Sequence, residues 1–173
     1  MKRVRLPYAA VFIRATILVF AVAVPLSACV TRAEEGVQEP GFCRQFNEVL
    51  EAAKEDFRAI EGRPKHEALG IWYATVSIPG GTDCLVYAPS LRMYACNLYM
   101  SDSESEAEAA YDDAVVSVRH CLPTDWRVRQ RVDALGRHTK VWRNPETPVV
   151  HVTSSISDAA AYLVDVWVEA PTD

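Results

Sequence analysis

Apolar and polar positions recur along this chain with two different periods. From Phe42 to Glu61, the residues Phe46, Val49, Leu50, Ala53, Phe57 and Ile60 follow three- and four-residue steps, which places them on one stripe of a helix. Pro40 before it and Gly62 after it supply a start and a stop. The period then changes to two. Trp72, Ala74, Val76 and Ile78 alternate with Tyr73, Thr75 and Ser77, the mark of a half-buried strand. Pro79-Gly80-Gly81-Thr82-Asp83 reads as a turn, because Pro presets φ and Gly tolerates positive φ. Strands are expected over Cys84–Ala88 and Met93–Met100, joined around Pro89-Ser90, and such short links favour an antiparallel meander.

The stretch SDSESEAEAAYDDAVVSVRHCLP, from Ser101, predicts a second helix. Ser103 with Glu106 fits a capping box, and acids crowd the first turns, where the helix dipole favours them. Ala107, Tyr111, Ala114, Val118 and Cys121 form its stripe, and Pro123 stops it. Four further segments read as strands: Trp126–Val132, Lys140–Arg143, Val149–Ser154 and Tyr162–Glu169, with turns at Asn144-Pro145 and Ser157-Asp158. The first of these also allows a turn or two of helix. The expected order is α-βββ-α-βββ(β). Strands in blocks argue for an α+β fold, an antiparallel sheet with two amphipathic helices packed on one face. No internal repeat is clear enough to claim duplication.

The N-terminus carries a different signal. Lys2, Arg3, Arg5 and Arg14 precede an apolar run from Ala15 to Pro25, and small residues come after it, the layout of an export leader. A bilayer span is the competing reading. It needs roughly 20 apolar residues, whereas 14 residues separate Arg14 from Cys29. Leu26-Ser27-Ala28-Cys29 resembles the lipobox of bacterial lipoprotein precursors, a resemblance confined to residues 1–29. It implies a thioether-linked diacylglycerol on Cys29, cleavage just before it, and acylation of the new amine. One chain alone holds a protein to a bilayer only marginally, so several acyl chains suit a permanent anchor. Val30 in place of Asp resembles outer-membrane sorting of enteric-type lipoproteins. The expected organisation is a signal peptide over 1–28, a flexible tether over 29–41, and one disulfide-stapled domain over 42–170. About 12 tether residues reach roughly 20 Å r.m.s., enough to hold the domain just off a periplasm-facing membrane surface.

Removing the leader shifts the charge balance. Of 18 Lys and Arg, 14 remain against 23 Asp and Glu, so the formal charge goes from −5 to −9. That balance argues against nucleic acid as a partner of the molecule as a whole. The charge is uneven, however. Residues 101–118 hold six acids and no base, whereas residues 119–143 hold seven Lys and Arg and two acids. Arg127, Arg129 and Arg131 alternate with Val128, Gln130 and Val132, so a strand there shows a basic ridge. Such a ridge is either a solvated face that blunts a sheet edge or a docking strip for an anionic envelope protein or anionic headgroups.

Cys29 is the odd one of five cysteines, and Cys43, Cys84, Cys96 and Cys121 form an even set suited to an oxidising compartment. Counting alternate up and down elements from the first helix places Cys43 and Cys84 both at the bottom, and Cys96 mid-sheet with Cys121 near the top, a looser match. That is the preferred pairing. The rival is Cys84–Cys96 with Cys43–Cys121: a hairpin centred on Ser90 puts Cys84 opposite Cys96, but the same count sends Cys43 and Cys121 to opposite ends.

Motifs with known catalytic mechanics are missing: there is no C-x-x-C, H-E-x-x-H, G-x-S-x-G or G-x-x-x-x-G-K. His120 and Cys121 are adjacent on a helix and do not face each other, and His151 on its strand reads as a packing residue. No catalytic, metal or cofactor site is therefore assigned. Tyr73, Tyr87, Tyr99, Trp142 and Trp167 are candidates to line a groove on the second face of the sheet. The expected function is a non-enzymatic interaction or accessory domain, anchored in the bacterial envelope through acylated Cys29. The alternatives are a binder of small molecules or cell-wall fragments, and a hydrolase with an unrecognised site.

Overall fold

The computed structural model describes residues 41–88, 91–134, 137–157 and 159–171. The expected leader and tether over residues 1–40, including Cys29, the expected link at Pro89-Ser90, and Asp158 lie outside the described residues. The chain forms α1 (Phe42–Ala53), β1 (Glu61–His66), β2 (Ile71–Ala74), β3 (Thr82–Tyr87), β4 (Met93–Ser101), α2 (Glu104–Cys121), β5 (Arg127–Val132), β6 (His138–Arg143), β7 (Val149–Ile156) and β8 (Tyr162–Glu169). All eight strands pair antiparallel in one sheet, in the order β1-β2-β3-β4-β8-β7-β6-β5. Each helix precedes a four-stranded meander, and the two meanders meet at β4 and β8. The α+β architecture expected from the pattern is the one observed. The repetition of topology left no readable trace in the residues.

Burial sorts the two faces. Val164, Val166 and Val168 of β8 sit beside Cys96 and Tyr94 of β4 and Val150 and Val152 of β7, all fully or almost fully buried. Both helices pack on this side, α2 across β4, β7 and β8, and α1 on β4, β8 and α2. At the start of α2 the Ser103 hydroxyl accepts the Glu106 N–H, one half of the expected box. The Glu106 carboxylate turns instead to the hydroxyls of Tyr99 and Ser101, at 2.7 and 3.1 Å.

Helix α1 ends at Ala53, eight residues before the expected limit. Asp56 and Phe57 take positive φ, and the Phe57 N–H reaches back to the Ala52 carbonyl at 2.8 Å while that of Asp56 reaches Ala53 at 3.4 Å. This closure reverses the chain without a glycine at the left-handed position. Phe57 and Ile60 stay buried, 0% and 3% exposed, so their helical spacing continued past the helix itself. The chain then enters β1, a strand absent from the expected order. Its sequence EGRPKH has no apolar alternation, carries Pro64, and pairs with β2 through two register irregularities. Gly62 is needed there, because a Cβ would lie 2.7 Å from the Tyr73 carbonyl oxygen. Strand β2 in turn ends at Ala74, short of Ile78. Val76 and Ile78 leave the ladder for the core, where the Val76 carbonyl accepts the Tyr94 hydroxyl at 3.2 Å.

The missed strand also overturns the preferred cysteine pairing. The bridges are Cys43–Cys121 and Cys84–Cys96, not Cys43–Cys84 and Cys96–Cys121. An extra strand between α1 and β2 adds one reversal, which turns α2 round and brings its last turn to the first turn of α1. The β3–β4 register Tyr87↔Met93, Val86↔Tyr94 and Leu85↔Ala95 then continues to Cys84 opposite Cys96. Gly81 rests against both of those sulfurs, leaving no room for a Cβ.

Candidate functional site: an arginine-lined groove on the open sheet face

The face of the sheet away from the helices is polar and crossed by rows of paired residues. One row runs Arg129, Val141, His151, Trp167, Ala95, Leu85 and Tyr73. A second runs Arg131, Thr139, Thr153, Asp165 and Asn97. A third sets Arg127 opposite Arg143 on one side, and Val149 opposite Glu169 on the other. β5 reads RVRQRV, so alternation sends all three of its arginines to this face.

The outcome is a groove of 390 Å³ at one end of β5–β8. Arg127, Arg129 and Arg143 line it, Val141 and Val149 contribute apolar surface, and Glu169 on β8 and Glu146 in the turn after β6 are its two acids. Residues 144–147 form one wall. Thr147 Oγ1 closes that turn onto the Asn144 carbonyl at 2.8 Å, and Asn144 Nδ2 donates to Asp125 at 2.7 Å. Glu169 is already engaged: its Oε1 lies 3.1 Å from His151 Nε2. The His151 imidazole, assisted by the Arg143 charge, holds the Glu169 carboxyl below its ordinary value. Arg127 and Arg129 form no ion pair among the described residues. Three guanidiniums against two carboxylates leave the groove lining net positive, and two of the guanidiniums have no ion-pair partner among the described residues, so they are available to an anion.

In comparisons with family models, curated proteins and solved structures, this chain matches none. The groove and its surroundings are therefore what bear on function.

Of the arginines singled out by alternation, Arg127 and Arg129 line the groove, whereas Arg131 lies beyond it opposite Thr139. Arg143 is the member the strand pattern missed. Only the pairing of β5 with β6 sets it across from Arg127, although its place in the basic tract was visible. Among the aromatic candidates, Tyr73 and Trp167 belong to the open-face rows and Tyr87 pairs with Met93 on that face. Trp142 and Tyr99 do not: Trp142 pairs with Val150 in the buried layer, and the Tyr99 hydroxyl meets Glu106 of α2. Cys121 is in a disulfide, which leaves no thiolate beside His120. A second cavity, 400 Å³, lies between α2 and β6. There Glu104, Glu108 and Asp112 face Lys140 and His138, so it presents no single charge.

Asp165 sits mid-face, and burial pushes its carboxyl above the ordinary range; the Asn97 Nδ2 donor at 3.2 Å offsets only part of that. An acid with a raised folded value holds its proton more tightly in the native state. Its ionisation therefore costs stability as pH climbs from the unfolded value through the folded one. Asp165→Asn keeps the acceptor for Asn97 and removes the charge. The variant should be more stable than wild type at neutral pH, by up to about 1 kcal/mol, and this gain should vanish in acid below the ordinary aspartate range. Urea unfolding at the two pH values tests this, and a variant less stable at neutral pH would contradict it.

Proposed function

We propose that this protein is a lipid-anchored, non-enzymatic interaction module of a bacterial envelope, which docks an anionic partner on its open sheet face. The observation carrying this reading is the set of three arginines around one groove, two of them without an ion-pair partner. The leader and the lipobox-like Leu26-Ser27-Ala28-Cys29 support the anchor, and two disulfides suit an oxidising compartment. Among the described residues no helix is long and apolar enough to cross a membrane, so in this reading attachment is the work of Cys29. A second reading, in which the groove takes an anionic small molecule or cell-wall fragment, is favoured by its size. Ligand pockets run from about 300 to 1,000 Å³, and 390 Å³ falls inside that range.

Two measurements test the proposal. Mass spectrometry of the native product should find residue 29 at the N-terminus, carrying a diacylglycerol thioether and an acylated amine. Titration with a fluorescent oligoglutamate should show binding that weakens with added salt. The triple variant Arg127→Ser, Arg129→Ser, Arg143→Ser should lose about tenfold or more of that affinity with its unfolding midpoint little changed, because Arg127 and Arg129 are exposed. Equal binding by the variant would remove the groove from the proposal.

A further inference from the structure

The two outer strands of the sheet are built differently. β1 is guarded: Pro64 removes a donor, and two irregularities in its register with β2 disturb its line. β5 has neither device. It pairs with β6 over six consecutive residues without a register shift, contains no proline, and is exposed along its whole length.

The free side of β5 can be read from its hairpin. The Asp133 N–H donates to the Arg137 carbonyl at 3.2 Å, which makes that opposed pair a hydrogen-bonded one. Hydrogen-bonded and non-bonded pairs alternate along an antiparallel ladder. Arg131, Arg129 and Arg127 therefore spend their backbone groups on β6. The N–H and C=O groups of Val128, Gln130 and Val132 point away from the sheet. The side chains of the valines face the helix side, yet Val128 is 52% and Val132 58% exposed, because the helix layer does not cover them. On the opposite side stand the three guanidiniums.

We propose that β5 accepts an added strand: an extended peptide segment that alternates acidic and apolar residues, antiparallel to β5. Its backbone completes the hydrogen bonds of Val128, Gln130 and Val132, its acids meet Arg127, Arg129 and Arg131, and its apolar residues cover the two valines. Charge selects this occupant over a second copy of the chain, since antiparallel β5–β5 pairing would set arginines against arginines. The inference rests on the anion-docking reading of the open face and specifies the shape of the partner.

The probe is a blocked peptide alternating Glu and Val over the length of β5, compared with an isomer in which the Glu and Val residues form separate blocks. The alternating peptide should bind about tenfold tighter than the block isomer. On binding, amide hydrogen exchange should slow at Val128, Gln130 and Val132 and stay unchanged at Arg127, Arg129 and Arg131, whose amides already pair with β6. Gln130→Pro, which removes one outward donor and leaves the β6 ladder intact, should lose most of this affinity. If that variant unfolds, the exchange pattern of the wild-type chain decides alone. Equal affinity for both isomers, or binding without new protection at the three amides, overturns strand addition while leaving charge docking in place. Binding to anionic vesicles with no binding to either peptide assigns the face to a membrane and overturns it as well. No binding to any of these anions removes both readings.

Discussion

Replacing Trp142 by Ala should lower the unfolding free energy by about 3–5 kcal/mol, the cost of emptying a large buried site. Trp142 lies on β6, is 1% exposed, and is the largest of the fully buried side chains. Its indole N–H has no hydrogen-bond partner among the described residues. Shape, and not hydrogen bonding, is then what the position demands, and Trp142→Phe, which keeps an aromatic ring and leaves a smaller cavity, should cost less, about 1–3 kcal/mol. Urea unfolding of the oxidised protein measures both. If Phe proved as damaging as Ala, the indole N–H would have to be making a bond in solution after all.

The two disulfides should differ in the same assay. Cys43–Cys121 closes a separation of 78 residues, and Cys84–Cys96 one of 12. Restriction of the unfolded chain grows with the logarithm of loop length, giving about 4.5 kcal/mol for the long bridge and about 3 kcal/mol for the short one. The Cys43→Ser, Cys121→Ser variant should therefore unfold at distinctly lower urea than the Cys84→Ser, Cys96→Ser variant. The long bridge also joins the two helices, whereas the short one only staples neighbouring strands. Peptide mapping without reductant should yield one fragment joining residues 84 and 96. A fragment joining 43 and 84 would restore the pairing that the structure replaces.

Periodicity revealed most of the fold because most elements have one dry side. Val164, Val166 and Val168 alternate cleanly because β8 is buried on one face and half-open on the other. The errors fall where that rule has no purchase. β1 is an outer strand with nothing apolar to alternate, so Glu61–His66 carried no signal, and its omission reversed the direction count for every later element. Phe57 and Ile60 misled in the opposite way, since both are buried at helical spacing although the α-helix has ended, Phe57 being left-handed and Arg58–Ile60 a single 3₁₀ turn. The site was half legible. Alternation alone sent Arg127, Arg129 and Arg131 to one face, but Arg143 joins them through strand register, which no local pattern encodes. His151 beside Glu169 was invisible for the same reason, the two residues lying on different strands and meeting only across the sheet.

The strand order has a consequence for how this chain must be assembled. β8, which follows every other strand of the sheet in the chain, occupies its middle, between β4 and β7. A chain leaves the ribosome N-terminus first, so each meander can be drafted locally, but nothing joins them until β8 slots in. Closing that gap late and over long sequence distances is entropically slow. Until then β4 and β7 both present raw seams, and a message cut short before residue 162 would leave two half-sheets with no keystone between them.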